Sequence, residues 1–389
     1  MADKIKVGKV DIINKFSPRH PSITGKSVRL MADFLHSNGL DVHTYSIDAT
    51  YKGQIASQEQ LPYRVTELKA IYDGNNKILR ILVSLLDGFR LIFSSCVMSD
   101  ADVHIVLTDP PLINLWVAFF KLFSRSRWIL WTMDLYPDAF SSAKLVKAGN
   151  PLFRIIHHTV YRYIPDFMIA LGEQQYNYLK NNYGVEIAHT ILPCGINLVK
   201  KTGEMPWWKK LHEDKIVMCY AGNLGEAHDD AFLIRLIEML DSRKFVMVLA
   251  LYGAKSGKVL QKVQSSPGVV LVDYVSMEEL TFVDINVASL LPCWDHVCVP
   301  SKVVSAICAG SPVLYNASEQ SEGYYMFPDA IWLIRQSDNY DLSIRQFYQS
   351  VDRGTIDRKK QAALHYAHRL AAVQENAFRN IIQYCKKVM

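Results

Sequence analysis

The chain has 389 residues, half of them apolar and 21% charged; this is about twice the length that one hydrophobic core supports and excludes both a small single module and a mainly disordered chain. Its formal net charge of +5 is uneven: residues 1–200 hold 22 Lys/Arg against 17 Asp/Glu, residues 201–352 hold 13 against 19, and residues 353–389 hold 8 against 2. Either one face meets something anionic, or solvated charges are scattered over the surface. The seven cysteines (Cys96, Cys194, Cys219, Cys293, Cys298, Cys308 and Cys385) show neither zinc-knuckle spacing nor a disulfide framework, so a reducing compartment is expected. The opening MADKIKVGKVDII lacks the apolar core of a signal peptide. Ile78–Met98 is interrupted by Arg80, Asp87 and Arg90, and Leu112–Phe120 is too short to span a bilayer, so a cytoplasmic protein is expected, with a membrane surface still open as a partner.

Along the chain, short apolar runs alternate with amphipathic stretches. Strands are expected at Lys6–Asn14, Asp41–Ile47, Val103–Thr108, Trp128–Met133, Phe167–Leu171 and Thr190–Leu192, with helical stretches between most of them, which reads as a parallel α/β sheet. The pattern breaks into polar sequence near residues 196–214. It restarts with strands at Ile216–Tyr220, Phe245–Tyr252, Val269–Val272, Ile285–Leu291, Pro312–Tyr315 and Ile331–Ile334. From Arg353 the tail is one long amphipathic helix. Two doubly wound domains in tandem follow: 1–198, a linker at 199–214, 215–352, and a helical tail at 353–389.

Ligands of such sheets bind beyond the carboxyl ends of strands, where helix N-termini offer unpaired amides and partial positive charge. Four strand-to-helix junctions fit. Ser22–Lys26 precedes a helix expected to begin near Ser27; Thr24 and Gly25 would admit a ligand and Lys26 would reach a phosphate, or the segment only caps the helix. Asp134 ends an apolar strand, where it would take or hold a substrate proton or cap the turn before Pro137. Gly222, Asn223 and Gly225 permit close backbone approach after the first strand of the second domain, although two glycines are too few for the dinucleotide fingerprint. Strongest is Pro292–Asn316, in which Pro300 suits a helix start, Ser301 and Lys302 set a hydroxyl and an ammonium beside unpaired amides, and Gly310 ends the helix. Asp100-Ala101-Asp102 lies at the amino end of its strand and reads as a polar turn, and His157-His158 has no third ligand nearby.

In their order these parts resemble glycosyltransferase family four. The segments that carry the resemblance are FSPRHPSITGKSVRLMADFLHSNGLDVHTYS, TDPPL (Thr108–Leu112), DLYPDA (Asp134–Ala139), LPCGIN (Leu192–Asn197), YAGNLG (Tyr220–Gly225) and VPSKVVSAICAGSPVL (Val299–Leu314), and they are similar to segments of its capsular, exopolysaccharide and O-antigen members. The resemblance implies a GT-B fold: two Rossmann-like α/β domains facing a cleft, acceptor on the first, nucleotide-sugar on the second, and the tail helix crossing back to the first domain. It implies transfer of a hexose-type sugar from a nucleoside-diphosphate sugar to a glycan acceptor, a lipid-linked (polyprenyl-diphosphate) saccharide of surface polysaccharide biosynthesis, with retention of configuration, no metal and no cofactor beyond the donor. Nothing nominates nucleic acid as a partner. Asp134 would orient sugar or acceptor; Gly222, Asn223, Gly225, Tyr274, Pro300, Ser301, Lys302 and Ser305 would hold the donor; Thr24, Gly25 and Lys26 would form an acceptor or phosphate loop. The paired glutamates of many members are replaced by Val297 and Ser305, and the basic residue that often follows the Gly222 loop is replaced by Glu226 and His228, which leaves Lys302 as the diphosphate partner. The apolar stretches carrying Arg80, Arg90, Lys121, Arg125 and Arg127 suit anionic lipid, or merely cover the first sheet. Two further readings stay open, a nucleotide-sugar 2-epimerase and a catalytically degenerate binding or scaffold subunit.

Overall fold

A computed structural model describes residues 8–48, 57, 59–72, 74, 77–199, 203–336 and 339–389. Lys6 and Val7 of the first expected strand, and residues 200–202 of the expected linker, lie outside them. The chain divides into two compact units, Met1–Cys194 with Gln374–Met389, and Gly195–Val373.

The first unit runs β1 (Lys9–Ile13), α1 (Ile23–Ser37), β2 (Asp41–Asp48), β3 (Arg64–Lys69), α2 (Lys77–Met98), β4 (Val103–Leu107), α3 (Ile113–Phe120), β5 (Arg127–Trp131), α4 (Asp138–Ser142), α5 (Pro151–Arg162), β6 (Phe167–Ala170), α6 (Glu173–Tyr183) and β7 (His189–Ile191). Its seven strands form a parallel sheet in the order β3-β2-β1-β4-β5-β6-β7. Strands covered on both faces read as unbroken apolar runs, as in VHIVL of β4, where every residue is buried. Strand β3 (RVTELK) is absent from the expected strands because it is an edge strand with no buried residue, and its sequence carries charge instead of an apolar run. Helix α1 begins at Ile23, four residues before the expected start, because Ser22 caps it by accepting the Gly25 amide at 3.1 Å.

The second unit runs α7 (Trp207–Lys210), β8 (Ile216–Asn223), α8 (Asp230–Glu238), β9 (Phe245–Tyr252), α9 (Ser256–Val263), β10 (Val269–Leu271), α10 (Met277–Leu280), β11 (Ile285–Ser289), α11 (Ser301–Cys308), β12 (Val313–Asn316), α12 (Glu322–Met326), β13 (Ile331–Ile334), α13 (Tyr340–Ser350) and α14 (Arg353–Val388). Its parallel six-stranded sheet has the order β10-β9-β8-β11-β12-β13. Met218, Tyr220, Phe232, Phe245 and Leu249 fill its core, and Ile344 and Ile356 close it from α13 and α14. Beneath the sheet Asp284 is 3% exposed and accepts the Val217 amide at 2.9 Å; Lys209 (2.6 Å), Lys360 (3.1 Å) and Arg353 (3.2 Å) surround it. These bonds outweigh burial and hold its carboxyl below the usual range. The last part of α14 counts with the first unit, where Phe378 packs tilted against Phe34 (centroids 4.9 Å apart) and Tyr384 against Phe167 (4.7 Å).

In both sheets the strand order reverses once, at β1/β4 and at β8/β11. Helices leaving neighbouring strands there go to opposite faces and leave a crevice at the carboxyl ends, so topology alone nominates two places for a ligand.

Candidate functional site

At the reversal point of the second unit, β8 ends on Gly222 and Asn223. Gly222 has φ +118°, and a Cβ there would come within 3.1 Å of Lys302 Cε, so glycine lets the lysine cross the strand end. Lys302 Nζ donates to the Asn223 carbonyl at 2.5 Å and lies 2.9 Å from His228 Nε2 and 5.4 Å from the Tyr220 ring centroid. On its other side His228 Nδ1 lies 2.6 Å from the carbonyl of Ser289, the last residue of β11. Burial and the cations of Lys302 and Lys255 push the imidazole down to about 3, so it is neutral at physiological pH. Lys255 Nζ ties the loop by donating to the carbonyls of His228 (2.6 Å) and Glu226 (3.1 Å). The backbone at Gly253, with φ +108°, favours glycine: a Cβ there would be strained and would lie 2.1 Å from Asn223 Oδ1 and 3.0 Å from the Leu224 carbonyl.

Lys302 occupies the first turn of α11. Pro300 is the N-cap rather than a residue of the first turn; its side chain makes no cap bond, and its carbonyl accepts the Val303 amide at 3.1 Å. Gly310, at φ +70°, follows the helix end as the sequence indicates. The sequence-nominated residues Gly222, Asn223 and Lys302 thus meet, with Pro300 and Ser301 beside them in the chain and Gly225 packed against the Asn223 side chain. Ser305 is turned elsewhere, donating to the Gly195 carbonyl at 3.4 Å, and Tyr274 stands exposed after β10. In the sequence His228 marks only the place of an absent basic residue, and no local pattern marks Lys255, Ser289 or Gly253, whose partnerships link strand ends far apart in sequence.

In the first unit the reversal point carries Lys15 after β1 and Asp109 after β4, joined by a backbone bond from the Lys15 amide to the Asp109 carbonyl at 2.9 Å. Asp134 follows β5, one strand further on. Its side chain reaches solvent, yet the protein crowded around it hydrates the carboxylate poorly; with the nearby Asp109 charge this pushes its carboxyl up to about 6. Gln175 of α6, fully buried, supports this strand end: its oxygen accepts from Thr132 Oγ1 (2.7 Å) and the Leu171 amide (3.0 Å), and its nitrogen donates to the Met133 carbonyl (3.1 Å). Asp138, four residues after Asp134, accepts from the hydroxyls of Tyr161 (2.7 Å) and Tyr178 (2.6 Å) and sits 3.3 Å from His157 Nε2. That is where His157 belongs, and among the described residues no group of three or more His, Cys, Asp or Glu is arranged to hold a metal.

Thr24, Gly25 and Lys26 fall in the first turn of α1. A Cβ on Gly25 would lie 2.5 Å from the His20 carbonyl and 2.8 Å from that of Ser17, so its smallness serves packing against the preceding loop. Its amide is taken by Ser22 Oγ, and the Lys26 amide by the Ser22 carbonyl at 2.9 Å, which leaves the exposed Lys26 side chain as the group aimed at solvent. Asp100 pairs with Lys9 at 2.5 Å at the amino end of β4, on the edge opposite the reversal-point crevice.

Two parallel, doubly wound sheets with a tail helix divided between them define the GT-B architecture. No family model and no curated protein matches the sequence. Solved structures match along their length: sucrose-phosphate synthase from Thermosynechococcus elongatus (12% identity, TM-score 0.73, covering 98% of this chain and 99% of that one) and WaaG, a glycosyltransferase involved in lipopolysaccharide biosynthesis (14%, 0.67, 95% and 98%). Anabaena HepE, solved with UDP-glucose, is also similar (11%, 0.63, 96% and 99%).

Proposed function

We propose that the protein transfers a hexose-type sugar from a nucleoside-diphosphate sugar to a hydroxyl of a glycan acceptor. The observation that carries this reading is the cationic reversal point of the second unit, where Lys302, backbone-close Gly222 and the first turn of α11 converge at a strand end. A diphosphate suits such a set: an ammonium, a backbone it can approach closely and the positive end of a helix. Lys302 then neutralises the leaving diphosphate without a metal, and the reaction retains anomeric configuration. Support for the donor class comes from similar folds solved with UDP and UDP-glucose. Asp134 orients sugar or acceptor as a carboxylate.

The acceptor proposed is lipid-linked, presented at the cytoplasmic face of an anionic membrane on which the first unit rests peripherally. Supporting this are the exposed Leu82, Val97 and Met98 of α2, Phe119 of α3, Leu122 and Phe123 just after it, and Leu152 and Ile155 of α5. Residues 111–165 carry seven Lys/Arg against Asp134 and Asp138 alone, so this apolar surface is also basic. Helix α2 is long and apolar enough to cross a membrane, yet Leu91 and Ile92 are buried and Ser95 donates to Asp11 at 2.7 Å, which packs one face on the sheet.

The test is a thermal-shift screen with UDP, GDP, ADP, CMP and dTDP, with and without chelator, followed by product analysis with the sugar form of whichever binds. A chelator-resistant shift and sugar transferred to a polyprenyl-diphosphate saccharide are expected. No shift with any nucleotide contradicts transfer, and release of free sugar without an acceptor product points to the epimerase chemistry instead.

A further inference from the structure

The loop after β8 holds an imidazole whose two nitrogens have opposite demands. Ser289 presents a carbonyl oxygen, which only accepts, so Nδ1 must carry the proton. Lys302 presents an ammonium, which only donates, so Nε2 must offer its lone pair. One species meets both demands, the neutral Nδ1–H tautomer. We propose that His228 is a positioning residue for the donor site, a neutral acceptor that fixes the Lys302 ammonium above the ends of β8 and β11. This rests on the donor reading above.

The surroundings keep the imidazole in that state. Two cations face it, Lys302 from α11 and Lys255 from the loop after β9, and a protonated ring would set a third charge 2.9 Å from Lys302. The neighbouring carboxylates are committed elsewhere: Asp229 accepts from the Phe232 amide (3.0 Å) and the Tyr340 hydroxyl (2.7 Å), and Asp230 pairs with Lys258 (2.5 Å) and Lys255 (3.8 Å). The Tyr220 ring closes the remaining side edge-on, 6.4 Å from the imidazole. A lysine side chain has large rotamer freedom, and pinning its head before the ligand arrives removes that ordering cost from binding.

Two substitutions separate this role from simple support of the loop. His228→Asn keeps a donor at the Nδ1 position toward Ser289 but removes the acceptor for Lys302; His228→Gln places an amide oxygen near Lys302. Calorimetry uses whichever of UDP, GDP, ADP and dTDP the wild-type chain binds, and the matching monophosphate. Diphosphate affinity is expected to fall about 5- to 10-fold in His228→Asn, on the scale of one ordinary hydrogen bond because His228 acts through Lys302, and to recover in His228→Gln. Monophosphate affinity and the thermal midpoint stay near wild type, and His228→Asn adds nothing in a Lys302→Ala background. Histidine-labelled 15N NMR of the full chain should show a neutral Nδ1–H ring that does not titrate between pH 8 and 5. The inference is overturned if His228→Asn binds diphosphate like wild type, if its loss persists without Lys302, or if the ring titrates near its ordinary value. A wild type that binds none of the four nucleotides contradicts the donor reading instead, and the NMR then judges the histidine alone.

Discussion

The two units share one plan and differ in what they place at the point where strand order reverses. The second unit gathers cations there, Lys302 and Lys255 around a neutral imidazole, whereas the first sets Asp109 there beside Lys15, with a second carboxylate, Asp134, one strand further on. Their outer helices differ as well: α11 buries all but its first two residues, whereas α2 and α3 each leave large apolar side chains in solvent. As proposed, the same backbone solution serves an anion in one unit and a neutral hydroxyl and a lipid surface in the other; fold sets the place and side chains set the chemistry.

The sharpest break in this comparison should be structural. Asp284→Ala leaves Lys209, Lys360 and Arg353 without their shared carboxylate, at a cost of about 3–5 kcal/mol, read as a lower denaturant midpoint of the second unit. Because the folded carboxyl lies below its unfolded value, its stabilising contribution is present at neutral pH and fades as pH falls through the unfolded value toward the folded one, so the mutant and wild-type stabilities should converge in acid.

Lys302→Ala comes next and should weaken nucleoside-diphosphate binding about 10- to 100-fold by calorimetry, the scale of a lost charge-assisted hydrogen bond to phosphate, with fold intact. Gly253→Ala should cost about 1–3 kcal/mol of stability in thermal melts, through positive φ and the clash with Asn223, and lower donor affinity with it.

Asp134→Asn acts in the other unit. Donor affinity should stay near wild type while turnover falls, and the acid limb of the wild-type turnover profile, with a midpoint near the carboxyl's value of about 6, should vanish. The raised value means that ionisation is disfavoured in the fold. Stability is therefore lost as pH rises through about 6, and the asparagine variant should melt higher than wild type at pH 8 but not at pH 3. Replacing Leu122 and Phe123 with serine should have the smallest effect, a several-fold loss of sedimentation with phosphatidylglycerol vesicles and none with neutral ones.

Much of the architecture was legible because buried parallel strands must read as apolar runs: β4, β9 and β13 fall where the sequence places them. Edge strand β3 escaped because its face carries charge, and α1 began early because the Ser22 cap competes with a loop reading of Thr24-Gly25. Lys302 was legible as part of a local helix start. His228 was visible only as a residue standing where a basic one is usual, since its partners Ser289 and Lys302 lie 61 and 74 residues away. Ser305 had the right spacing for a ligand contact but faces the Gly195 carbonyl, a direction that no local pattern reveals.

The most direct measurement is calorimetric titration of wild type and Lys302→Ala with UDP, GDP, ADP and dTDP in chelator. One diphosphate that binds the wild type without metal and loses about tenfold or more in the variant is the predicted result. Equal affinity in the two proteins, or no binding to either, would contradict a donor site at the reversal point of the second unit.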